Sequence, residues 1–113
     1  MAAKSKRKAG RTVSFEIKTR KPLPIGEQVF VTGSVSMLGA WVPDGLPLTR
    51  MGDNVWFGSA NVPSDAVIDY KVTRGSWHDE EVLEDGLAPP NATIRAGGDV
   101  TVRRTVFGWK DGR

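Results

Sequence analysis

Apolar residues recur at every second position over short stretches of this chain, and no window carries a helical period, so the fold has to be made of strands. Between Thr12 and Lys18, Val13, Phe15 and Ile17 fall on one face and Thr12, Ser14, Glu16 and Lys18 on the other, the pattern of a half-buried strand. Segments rich in β-branched and aromatic residues follow at Gln28–Gly33, Leu46–Arg50, Val55–Val62, Val67–Thr73, Ala92–Arg95 and Val100–Val106. These residue types suit a pleated, half-buried surface. Thirteen glycines and seven prolines punctuate them. The proline-rich Lys21–Gly26 cannot continue a central strand, Gly52-Asp53-Asn54 and Pro63-Ser64-Asp65 supply turns, and Gly97-Gly98 reads as a hairpin turn.

About seven short strands in one domain-sized chain predict an all-β fold, an immunoglobulin-like antiparallel β-sandwich. The 113 residues suffice for one core and not for two ordinary ones. No apolar run approaches the roughly 20 residues of a membrane helix, so no membrane partner is expected. With no cysteine there is neither a disulfide framework nor a thiolate site, and the core must hold unaided.

The pI of about 9.5 suggests a nucleic-acid partner until the charge is located. Lys4, Lys6, Arg7, Lys8 and Arg11 supply five of the sixteen basic residues, leaving eleven against thirteen acids, a net of −2. The basicity therefore belongs to residues 1–11, read as a disordered tail able to make weak polyanion contacts, and residues 12–113 form the sandwich. That N-terminus lacks the apolar stretch of a secretory signal, so a cytoplasmic location is the expectation.

Four tryptophans divide into two kinds. Trp56 and Trp109 lie within or beside strand-like segments and are assigned to packing. Trp41, in GSVSMLGAWVPDG, and Trp77, in RGSWHDEEVLEDG, lie in polar loops, where a large indole ring needs another explanation.

The order VFVTGSVSMLGAW, NVWFGSANVP, IDYKVTRGSW and then PPN resembles the starch-binding domain of carbohydrate-binding module family 20, over roughly Val13 to Trp109. The resemblance implies a non-catalytic module for α-1,4-glucan, as starch, glycogen or maltooligosaccharide. Its sugar site would be Trp41 and Trp77 for stacking with Lys71 and Asn91 for hydrogen bonds; His78, where the family often has an acid, is read as a rim residue of that site or as simply exposed. It also implies a catalytic domain or enzyme as a partner. The family's second site depends on tyrosines. Here one position is Ile25 and the other loop, RMGDN, has no aromatic residue, so a single site is expected.

Other chemistries fit poorly. Asp79, Glu80, Glu81, Glu84 and Asp85 lack the separation across a cleft that glycoside hydrolysis requires and the spacing of a calcium loop, and are read as a solvated loop. One histidine makes no convincing zinc site, no G-x-S-x-G elbow is present, and Gly97-Gly98 lacks the lysine of a phosphate loop. No metal or cofactor is expected. A structural or protein-interaction domain is the alternative function. A nucleic-acid binder is disfavoured, because the basic residues do not share a strand face with aromatic ones.

Overall fold

The computed structural model describes residues 10–95 and 97–112. Residues 1–9 of the basic segment lie outside them. Strand β1 (Gly10–Thr19) alternates as its sequence demands, with Val13, Phe15 and Ile17 buried. It is followed by β2 (Phe30–Gly33), β3 (Leu46–Pro47), β4 (Thr49–Arg50), β5 (Val55–Pro63), β6 (Ile68–Thr73), β7 (Glu81–Val82), β8 (Ala92–Ile94), β9 (Val100–Val106) and β10 (Gly108–Trp109). One sheet has the order β9-β1-β5-β4 and the second β3-β2-β6-β8, with β7 and β10 paired beside them. The fold is the expected all-β sandwich, and its core lies where the sheets meet. Phe15 from β1 meets Tyr70 from β6 edge to face, ring centroids 5.3 Å apart. Trp56 and Trp109 join this core, nearly inaccessible.

The expected pairing needs one correction. β9 runs parallel to β1, in a register that sets Val102 beside Phe15, while the other strand pairs are antiparallel. Gly97-Gly98 is accordingly not a hairpin turn. It carries the chain from β8 in one sheet to β9 in the other, because β8 pairs with β6, Ile94 facing Ile68. The segment Leu46–Arg50 likewise divides between the two sheets, with buried Leu48 at the crossing point.

Arg11 belongs to the sandwich and not to the tail. Its side chain is buried, and the guanidinium donates to the carbonyls of Arg95 and Ala66, both at 2.7 Å. These bonds close the end of the sandwich where β1 begins.

Candidate functional site

Two loops that leave opposite ends of the antiparallel β2–β6 pair bring their tryptophans to one cleft. The first leaves β2 at Gly33, makes a 3₁₀ turn at Ser36–Leu38 and folds back sharply. Gly39, Ala40 and Trp41 adopt φ values of 85°, 48° and 72°, three successive left-handed residues. This conformation costs roughly 1–2 kcal/mol for each residue that has a Cβ. Backbone bonds hold it: Ala40 N–H donates to Val35 O at 3.1 Å, Trp41 N–H to Gly33 O at 2.9 Å and Val42 N–H to Gly39 O at 3.0 Å. Glycine is required where the loop closes on itself, since a Cβ on Gly45 would lie 2.2 Å from the Leu38 carbonyl oxygen.

The second loop follows β6. A 3₁₀ turn at Trp77–Asp79 is closed by a capping box between Ser76 and Asp79, two orphan donors satisfied reciprocally. Asp79 Oδ1 accepts the N–H of Ser76 and also that of Arg74, each at 3.0 Å. The turn leaves Trp77 37% exposed.

Thr73 joins the loops. Its hydroxyl donates to the Pro43 carbonyl at 2.6 Å, in the Trp41 loop, and accepts the Gly75 N–H at 3.0 Å, in the Trp77 loop. The floor between them is β6. Its register pairs Tyr70 with Ala92 of β8, which carries Asn91, one residue earlier, to the level of Lys71. That register explains how a long intervening segment in the sequence still delivers Asn91 to the site.

Trp41, Lys71, Trp77 and Asn91 thus line one open cleft of ≈ 310 Å³. Four of the five expected site residues are brought together. His78 is not among the lining residues. It is exposed beside Trp77, outside the cleft.

Glu80 is the lining residue that the sequence reading missed. Only 9% exposed, it places a carboxylate oxygen 3.5 Å from Lys71 Nζ. Glu81 is buried as well and receives Arg104 Nε at 2.8 and 3.1 Å on its two oxygens. The acidic stretch is therefore a solvated loop only at Glu84 and Asp85, which are exposed in a turn, and not at its first three acids. Asp79 caps the turn, Glu80 faces the cleft and Glu81 anchors β7 to β9. Burial pushes the Glu81 carboxyl above its ordinary range, against the opposing pull of Arg104 and Lys71. Burial likewise raises the Tyr70 phenol, partly countered by Arg104. The sequence carries no local signal for the roles of Glu80 and Glu81, because their partners Lys71 and Arg104 arrive from other strands.

Residues 11–103 match the family described as "Starch binding domain". Among curated proteins, the chain is 37% identical over 101 residues to an alpha-amylase of Niallia circulans, covering 88% of this chain and 8% of the relative. It is 34% identical over 67 residues to Glucoamylase-1 of Schizophyllum commune, covering 58% of this chain and 12% of that protein. The chain thus spans a small part of the length of these relatives. Among solved structures, the family 20 module of the maltotetraose-forming amylase from Pseudomonas saccharophila superposes with a TM-score of 0.61 at 20% identity, over 83% of this chain and 98% of that one. The glucoamylase of Hypocrea jecorina does so at 0.66 and 19% identity, over 95% of this chain and 20% of that one. The two structural matches speak to the fold, and the family match speaks to descent. The chain belongs to the starch-binding domain family, a non-catalytic carbohydrate-binding module with the β-sandwich fold.

Proposed function

We propose that the cleft between the Trp41 and Trp77 loops binds an α-1,4-glucan segment by stacking glucose rings on the two indoles. Lys71 and Asn91 supply hydrogen bonds, and the chain acts as the targeting module of an amylolytic catalytic domain. The observation that carries this reading is the convergence of two tryptophans from separate loops, a lysine and an amide on one open cleft.

The chemistry follows from the sugar. A glucose ring has an apolar face of C–H bonds and an equatorial rim of hydroxyls. The face packs on the electron-rich indole, and the rim requires donors and acceptors. Removing about 50 Å² of apolar surface per ring gives about 1–1.5 kcal/mol for each tryptophan. Lys71 donates, while the Asn91 amide both donates and accepts, which suits vicinal hydroxyls. Each such bond replaces one to water and adds about 1 kcal/mol. After association entropy is subtracted, the affinity is expected between micromolar and millimolar. That weakness suits a module whose polymeric ligand offers many overlapping sites.

The test is migration in native gels containing soluble starch or glycogen, with dextran as the control polymer and Trp41→Ala and Trp77→Ala alongside. Retardation of the wild type alone, absent in dextran, is the expected result. Folded wild type that migrates unretarded in every polymer would overturn the glucan reading and leave a protein-interaction domain in its place.

A further inference from the structure

The cleft contains one cation and one carboxylate, and they face each other. Lys71 Nζ lies 3.5 Å from Glu80 Oε2, with side-chain exposures of 20% and 12%. A lone lysine in such a place would attract anions, but this one already has a partner built into the wall. The charges behind the wall do not restore a positive field. Arg74 is paired with Glu27 and Asp111, and Arg104 is clasped by Glu81. Asp79 adds a further carboxylate, whose Oδ1 is held by backbone N–H groups.

A neutral sugar loses nothing to this arrangement. Glu80 fixes the direction of the lysine, and the ammonium keeps donors for hydroxyl oxygens. A glucose unit bearing an anionic ester is treated differently. A phosphate monoester carries about −1.5 to −2 charge near neutral pH. It would have to leave water beside a partly buried carboxylate, where like charges interact more strongly than in solvent.

We infer that Glu80, by engaging Lys71 and presenting its own charge to the cleft, makes the site selective for neutral glucan segments over phosphorylated ones. This rests on the reading of the cleft as the glucan site. Glu80 is in this view a specificity-determining residue, and the selectivity is electrostatic and not only a matter of fit.

The test is calorimetric titration of the full chain with maltoheptaose and with maltoheptaose carrying a 6-phosphate on an internal glucose, for wild type, Glu80→Gln and Glu80→Asp. Wild type is expected to bind the neutral sugar about tenfold more tightly. Glu80→Gln should narrow the difference to about threefold or less, and Glu80→Asp should keep most of it. Independently of any variant, added salt should tighten wild-type binding of the phosphorylated sugar, because it screens repulsion. Equal wild-type affinities, discrimination unchanged in folded Glu80→Gln, or salt that weakens the phosphorylated complex would each overturn the inference while leaving the glucan site in place. Failure of wild type to bind maltoheptaose would instead remove the glucan reading, and this inference with it.

Discussion

The hydroxyl of Thr73 donates to the carbonyl of Pro43, thirty residues away in sequence, and so ties the loop of one cleft tryptophan to the strand that launches the other. Thr73 is fully buried and also receives the Gly75 N–H. Thr73→Val keeps the shape and removes both bonds, leaving the part-buried Pro43 carbonyl and Gly75 N–H with one partner fewer. A loss of about 1–3 kcal/mol in urea unfolding is expected, together with weaker glucan binding because the two rings lose their common anchor. Thr73→Ser, which keeps the hydroxyl, should recover most of both.

The Glu81 carboxyl gives a pH dependence with a definite sign. Burial raises its pKa in the folded chain, so the native state holds this proton more tightly than the unfolded one does. From about pH 4.3, the ordinary glutamate value, up through the raised folded value, this group's contribution to stability falls as pH rises, and it is fully present only below that window. Glu81→Gln does not titrate there. The Tm difference between wild type and Glu81→Gln should therefore move in favour of wild type on going from pH 7 to pH 4. A difference that stays constant across that range would refute the assignment.

Trp41 sits at φ 72°, a backbone region that suits glycine better than any residue with a Cβ. Trp41→Ala and Trp41→Gly should both abolish retardation in starch gels, yet they should not be equally stable. Relief of the left-handed strain outweighs the greater freedom of glycine in the unfolded chain. The glycine variant is expected to be more stable than the alanine variant by about 0.5–1 kcal/mol in urea unfolding. Equal stabilities would mean that the loop relaxes out of this conformation.

Ile25 is 97% exposed and occupies the position that the resemblance assigns to a tyrosine of a second site, and the loop at Met51 offers no ring. Titration with a short maltooligosaccharide should accordingly show one molecule bound per chain, and a Trp41→Ala, Trp77→Ala double variant should show none. Residual binding in the double variant would reveal a second site.

The strand pattern of β1 and the burial of Trp56 and Trp109 were legible because a period of two and an aromatic within an apolar run are local properties. Trp41, Lys71, Trp77 and Asn91 were legible because their order and neighbours match a family. What stayed hidden depended on where the chain goes next. Gly97-Gly98 announces a change of direction but cannot say which sheet receives the following strand. Two-residue strands such as Glu81–Val82 have no period to detect. Glu80 and Glu81 looked solvated because a run of acids ordinarily is, and only the approach of Lys71 and Arg104 from other strands makes their burial tolerable. Arg11 was counted with the tail for the same reason, since its acceptors are carbonyls at positions 66 and 95.

The parallel pairing of β9 with β1 also decides how the module responds to mechanical load. Val100 lies beside Val13 and Val106 beside Thr19, so Gly10 opens the pair at one end of the sandwich, while the chain leaves β9 at the other. Force applied between the start of β1 and the end of β9 would load the β1–β9 hydrogen bonds lengthwise. They would have to fail together in shear, not peel one at a time, and a tether built this way resists force more than its folding stability alone would suggest.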